Sequence, residues 1–453
     1  MSVDAVDSPT PTALRNTAWP LKVRARKPVA ADAVRTIRIG LLGLGRVGQA
    51  VARLAADRSA TAHAGIRFHV EQALVRDVEK SRRCPKPLRI TSDPSAFLRG
   101  HYDVVVEALD AVEPARTIVA RLLGQGTSVV TANKALVAAH RDELESIAAS
   151  RGAAFRYEAT ALSAIPFLGT LADRPLVASV DRVRAIVNGT SNFILTALAE
   201  GDASFDEALR RAQQLGYAEP DASRDLDGDD AADKLVLLTA LFGWGKLSRE
   251  ALDVSGIRSV TAGDLTAARS IGGTIKPIVS AERDSSGVRA FVGPVFLPAT
   301  EPLASISGEL NGIRLDGRHV QNLFFSGPGA GPDVTAVTLL DDAIQTVRLK
   351  PDPHRGDTHR GNPHRAANSL PVFPASPATS WFLRVTCPGV LPSAAAIARL
   401  VSATGLPVER VTDYASDNTR WICIGPQSRR DVNAAVVKLS GTHRIDASAF
   451  RRL

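Results

Sequence analysis

The first strong pattern in the chain is the apolar run from Ile37 to Leu42, short and rich in β-branched residues, which predicts a buried strand. Directly after it Val47, Ala50, Val51 and Leu54 recur at helical spacing. FHVEQALV, ending at Val75, DVVVEAL at 103–109 and SVVTAN at 128–133 read as further strands, with the helical PARTIVARLLG between the last two. Such alternation predicts an α/β unit with a doubly wound parallel sheet over residues 37–152, completed by about 322–348. From 153 the pattern changes. AAFRYEA is strand-like, Ile165-Pro166 marks a turn, and FLGTLA is helical. VRAIVNGTSNFILTAL predicts a strand, a turn and a helix starting near Ser191 or Asn192, and the helices SFDEALRRAQQLG and DDAADKLVLLTALFG follow. Residues 153–321 are therefore expected to form an α+β unit.

The flanks lack such patterns. Residues 1–36 are rich in Pro, Ala and Arg without an apolar core, which predicts a disordered leader and not a secretory signal. Residues 349–378 are a Pro/Gly-rich linker with His-Arg at 354, 359 and 364, expected to be a flexible basic spacer. Residues 379–453 then read strand, Pro-Gly turn, helix, strand.

At 453 residues the chain has room for two or three domains. No apolar run approaches the ~20 residues that span a bilayer, so no membrane role is expected. Cys84, Cys387 and Cys423 are far apart and fit no disulfide or zinc spacing, which favours a reducing cytoplasm. The net charge of +8 changes meaning when it is located: residues 1–38 carry +4, residues 348–453 carry +8, and the body between them −4. An acidic body argues against a nucleic-acid partner.

Candidate chemistry begins at Gly43, Gly45 and Gly48. They form G-x-G-x-x-G where a strand closes and a helix opens, the arrangement that brings a dinucleotide pyrophosphate onto helix N–H groups. At the end of the second strand Arg76 and Asp77 sit side by side. An acid there suits the ribose hydroxyls of NAD and a base the 2′-phosphate of NADP; Lys80, Arg82 and Arg83 tilt the reading toward NADP. Lys134 stands at a strand's carboxyl end, the edge where such sheets bind ligands. The Asn-Gly-Thr-Ser turn at 188–191 offers N–H groups and hydroxyls suited to a small carboxylate. From Glu219 to Lys234 seven carboxylates face only Arg224 and Lys234, and Asp230 and Lys234 share one helix face. An ordinary acidic helix start accounts for Asp227 and Asp229, but less well for a lysine placed directly before LVLLTALF.

GLLGLGRVG, VVTANKAL, IVNGTSNFIL, LGYAEPDASRDLDGDDAADK and FSGPGAGPDVTA, in this order over residues 36–345, make the chain resemble homoserine dehydrogenases. The resemblance implies an NAD(P)-dependent oxidoreductase interconverting L-homoserine and L-aspartate 4-semialdehyde in the biosynthesis of threonine and methionine. It implies a Rossmann-type domain, an α+β catalytic and dimerisation domain, and a homodimer or homotetramer. By the same resemblance Lys134, Lys234 and Asp230 are catalytic, and Gly189, Thr190, Tyr217, Glu219 and Asp225 bind substrate. Gly43, Gly45, Arg46, Val47, Gly48, Arg76, Lys134 and Gly331 would bind the cofactor. Glu158, with the carbonyls of Ala161, Ser163 and Ile165, would hold a monovalent cation such as Na+. Drawing a lysine down from ~10.4 to ~7.5 costs about 4 kcal/mol, and Asp230 opposes it. Lys234 is thus expected to serve as a protonated acid in aldehyde reduction and as the base in oxidation at alkaline pH.

Two turns depart from the family pattern. A Gly-Gly pair is replaced by residues of Glu107-Ala-Leu-Asp110-Ala111, and a glycine-rich turn by ALSAIP at 161–166, which predicts a narrower pocket. A same-fold dehydrogenase for another small amino alcohol, and a non-catalytic regulator binding nucleotide and amino acid, are the rival readings. The last 75 residues resemble a ferredoxin-like ACT module, which in this family senses an end-product amino acid; here Cys387 replaces the acidic residue before Pro-Gly.

Overall fold

The computed structural model describes residues 35–348, 372–373 and 378–453, except 62–64, 86–87, 173, 175, 202, 246, 388, 417 and 444. The expected leader and the His-Arg repeats lie outside the described residues.

Six strands form the first sheet: β1 (Arg35–Leu42), β2 (Ile66–Leu74), β3 (Arg89–Thr91), β4 (Val104–Glu107), β5 (Ser128–Thr131) and β6 (Phe155–Arg156). Their order is β3-β2-β1-β4-β5-β6, and every pair is parallel. This is the Rossmann arrangement, with its crevice where the order reverses between β1 and β4. Ile37, Ile39 and Leu41 are fully buried, as a strand covered on both faces requires. The chain returns to this unit late: helix Pro332–Arg348 packs Ala336, Leu339, Leu340 and Val347 against the β1 side chains and against Ala50 and Val51 of helix Arg46–Ala56.

The second sheet is mixed and has eleven strands. At its centre Gly273–Asp284 and Gly287–Pro298 form an antiparallel hairpin, flanked by Val180–Ile186 and Leu310–Gly317. Helices Gly189–Glu200 and Asp229–Leu241 belong to this half. The first of them begins two to three residues earlier than the sequence suggests, because the Asn188 side chain accepts the Ser191 N–H at 2.8 Å and caps it.

The last module runs strand Thr379–Thr386, helix Ala394–Ser402, strands Val408–Ser416 and Thr419–Gln427, helix Arg429–His443, strand Asp446–Arg452, a ferredoxin-like β-α-β-β-α-β order. Its strands continue that second sheet, since Val295 and Phe296 pair in parallel with Arg451 and Arg452. Phe382, Trp421, Cys423 and Phe450 share a core with Ile194, Leu198, Leu265 and Phe296. The fully buried Asp264 accepts from Trp421 Nε1 and from Arg384 Nη1, both at 2.6 Å. A charge so buried stays only while paired, so the module is held as an integral part of this second half.

Candidate functional site

The crevice opens on the glycine loop. Gly43 has φ +103°, a conformation side chains rarely adopt, and a Cβ at Gly48 would stand 2.2 Å from the Gly43 carbonyl oxygen. A Cβ at Gly45 would meet nothing within 4 Å, so this glycine keeps open the space above the helix start. Gly45 caps helix Arg46–Ala56 without a side-chain bond, and the N–H groups of Arg46, Val47 and Gly48 find no partner among the described residues. That donor set fits the pyrophosphate of a dinucleotide. Gly331, φ +132°, starts the returning helix, which Asp333 ties to Arg53.

At the far end of β2, Arg76 is exposed and has no ionic or hydrogen-bond partner among the described residues. Asp77 Oδ1 is engaged by its own turn, accepting the N–H groups of Glu79 and Lys80 at 2.9 and 3.3 Å. Arg82 is fixed too, donating to the carbonyls of Asp77 and Lys80, each at 2.8 Å, and of Leu44 at 3.3 Å.

Across the crevice the structure brings the three predicted catalytic residues together from two domains. Lys134 is the first residue of helix Lys134–Arg151, capped by Asn133, whose Oδ1 accepts the Leu136 N–H. Asp230 and Lys234 come from helix Asp229–Leu241. Asp230 lies 2.7 Å from Lys234 Nζ and 3.7 Å from Lys134 Nζ. Lys234 also donates to the Val187 carbonyl at 2.7 Å. Burial works against the charge of Asp230, but the ammonium groups of Lys234 and Lys134 outweigh it and hold the carboxyl down at about 2. Desolvation, and then the charge of Lys234, lower the pKa of Lys134; its side chain remains half exposed, which limits the effect.

Asn188 joins this cluster to the predicted substrate residues. Its amide donates to Asp225 at 2.7 Å and to Asp230 at 2.9 Å while its oxygen caps the helix that Gly189 and Thr190 begin. Thr190 Oγ1 donates to the Tyr217 carbonyl at 2.7 Å, and the Tyr217 ring rests on Phe193. Glu219 is exposed, and its carboxylate makes no bond to the cluster; Gln213 holds its backbone carbonyl.

The residues named for a cation fall in one buried turn. Glu158 accepts from Leu168 N at 2.9 Å and Gly169 N at 2.6 Å. Ser163 has φ +51°, so the conformation of a glycine turn survives the loss of the glycine. The Ser163 carbonyl accepts from Thr338 Oγ1 and that of Ile165 from Phe167 N. Burial raises the pKa of Glu158; burial and then the Glu158 charge raise neighbouring Asp342 to about 7. Two buried acids beside carbonyl oxygens, with the Arg156 charge acting on both, fit a hard monovalent cation.

Three residues of the site lie in stretches the sequence singles out but receive no role of their own from its pattern: Asn188, Asn133 and Glu107. Each asparagine is a helix cap, and the strand-to-helix boundary is the only signal for it. Glu107 is fully buried at the end of β4, bonded to Thr131 Oγ1, to Leu109 N at 2.7 Å and to Asn133 Nδ2 at 3.4 Å. Burial drives its pKa to about 7 against those donors. Asn133 Nδ2 also donates to the Ala111 carbonyl at 2.9 Å, so the turn that lost its glycine pair is still tied to the Lys134 helix.

Comparison with known proteins matches residues 43–158 to the homoserine dehydrogenase NAD binding domain and residues 166–344 to the homoserine dehydrogenase family. The chain is 34% identical over 319 residues to the homoserine dehydrogenase of Bacillus subtilis, covering 70% of this chain and 74% of that protein. With that of Corynebacterium glutamicum it shares 36% over 322 residues, 69% and 72% of the two chains. The crystal structure of a homoserine dehydrogenase from Thiobacillus denitrificans superposes with a TM-score of 0.76 at 29% identity, covering 92% of this chain and 98% of that one.

Proposed function

The chain belongs to the homoserine dehydrogenase family, whose members are NAD(P)-dependent oxidoreductases, and from that premise we propose how its own residues divide the work. The observation that carries the proposal is Asp230 held between two lysines contributed by two domains. The nicotinamide cofactor, held at Gly43, Gly45, Arg46, Val47 and Gly48, supplies the hydride chemistry. Lys234 exchanges the hydroxyl proton: it donates in aldehyde reduction and accepts in alcohol oxidation. Asp230 keeps both ammonium groups in place, and Lys134 neutralises charge on the reacting oxygen. Gly189 and Thr190 receive the substrate carboxylate at a helix start, while Asp225, Glu219 and Tyr217 receive its ammonium end.

The finer proposal is NADP. Arg76 is free to meet a 2′-phosphate, whereas one oxygen of the Asp77 carboxylate, Oδ1, is already engaged by its own turn. Arg76→Ala is expected to raise KM for NADP+ by roughly tenfold or more and to leave NAD+ nearly unaffected. An equal change for both cofactors would contradict the assignment. Glu158 with the carbonyls of Ala161, Ser163 and Ile165 is proposed as the seat of a monovalent cation, supported by the two buried acids there.

The same reading includes a homodimer or homotetramer and a cytoplasmic location, the latter supported by three free cysteines. Among the described residues no helix is long and apolar enough to cross a membrane. It also includes an amino-acid effector at the last module, whose continuous sheet gives such a ligand a mechanical route to the catalytic strands.

A further inference from the structure

Lys276, on strand Gly273–Asp284, is only 5% exposed, and no carboxylate bonds to it among the described residues. Its ammonium donates to the Ile306 carbonyl at 2.6 Å. Burial lowers its pKa to about 8, so a charge is being kept at a place that disfavours it. The fully buried Asn192 works on the same loop. Its amide nitrogen lies 3.3, 3.0 and 3.2 Å from the carbonyls of Ile306, Gly308 and Leu310, and Thr196 Oγ1 accepts the Gly308 N–H at 3.1 Å.

Gathering those three carbonyls on one side leaves that of Glu309 directed elsewhere, and it presses on Gly189. A Cβ at Gly189 would lie 2.7 Å from the Glu309 oxygen and 3.6 Å from its Cα. Gly189 opens the helix whose first groups are assigned above to the substrate carboxylate. The loop therefore braces that helix start, and the loop is itself held by a charge-assisted bond, stronger than a neutral one.

We propose that Lys276 is a positioning residue for substrate binding: through the 306–310 loop it sets the placement of Gly189 and Thr190. The proposal rests on the reading of those two residues as the carboxylate site, and the test separates the two. Lys276→Met keeps most of the side-chain volume and removes the ammonium. It is expected to raise KM for homoserine about tenfold, with KM for the cofactor unchanged and kcat within about twofold, as for one lost bond to a charged group. Thr196→Val loses the third tie at constant volume and is expected to raise KM for homoserine about threefold, which keeps the test available should Lys276→Met fail to fold. Homoserine amide, which lacks the carboxylate, serves with the parent enzyme as the control on the carboxylate reading.

A parent KM higher for the amide than for homoserine, with a homoserine KM unchanged in both Lys276→Met and Thr196→Val, would overturn the role of the brace. A parent KM no higher for the amide than for homoserine would instead refute the site on which it rests. If the KM values for homoserine and cofactor rose together with a fall in kcat, Lys276 would be a general structural residue and the proposal would be wrong.

Discussion

Asp230→Asn removes one charge from between two ammonium groups at almost constant shape. At an effective dielectric of ~20 the contacts at 2.7 and 3.7 Å amount to ~6 and ~4 kcal/mol of attraction. Desolvation of a carboxylate that is 24% exposed, and the half-exposed Lys134, cancel most of this. The net is read from the carboxyl itself, held at about 2 against its ordinary 3.8, which corresponds to roughly 2 kcal/mol. The folded-state pKa is depressed, so this stabilisation is present above the unfolded value and lost as pH falls through the folded one. It should be complete above about pH 5, roughly halved near pH 3, and gone below about pH 2. Urea unfolding of the two proteins between pH 7 and pH 3 measures it. The variant is expected to be less stable by roughly 2 kcal/mol at neutral pH, with a gap that narrows with acid, and to lose turnover by about a hundredfold. A gap under about 0.5 kcal/mol at pH 7, or one that does not narrow, would refute the assignment of Asp230 as the ionised link between the lysines.

Glu107 gives the opposite sign. Its folded pKa is raised from 4.5 to about 7, so folding is favoured where it is protonated and that advantage is lost as pH rises from about 4.5 to 7. Glu107→Gln should therefore gain stability relative to the parent across that window, seen as thermal midpoints that cross or converge. Gly48→Ala forces a Cβ to within 2.2 Å of the Gly43 carbonyl and should weaken cofactor binding by about tenfold or more, measured by quenching of protein fluorescence, with the catalytic half still folded by circular dichroism.

The Rossmann half was legible because its strands are buried on both faces and announce themselves as runs such as Val104–Val106, with glycines at the turn that a ligand must approach. Lys134 was legible from its place at a strand end, and Asp230 and Lys234 from their i,i+4 spacing. Nothing local, however, says that Lys134 and Asp230 meet, because their contact crosses domains and depends on how the catalytic helix docks. The fusion of the last module to the hairpin Gly273–Pro298 was not legible for the same reason. The Val295–Arg451 pairing and the Asp264–Arg384 bond join residues more than a hundred positions apart. The turn at 161–166 shows a subtler limit: the left-handed conformation persists at Ser163, where tertiary bonds to Thr335 and Thr338 override the preference for glycine.

The most direct test of the account is turnover of homoserine, followed as reduction of NADP+, by the parent enzyme and by Lys234→Met. Proton transfer at Lys234 predicts a parent rate that rises toward alkaline pH. It also predicts a variant that loses roughly a hundredfold to ten-thousandfold in kcat while binding cofactor normally. A Lys234→Met enzyme that turned over within about tenfold of the parent, with the same pH profile, would show that the proton goes elsewhere.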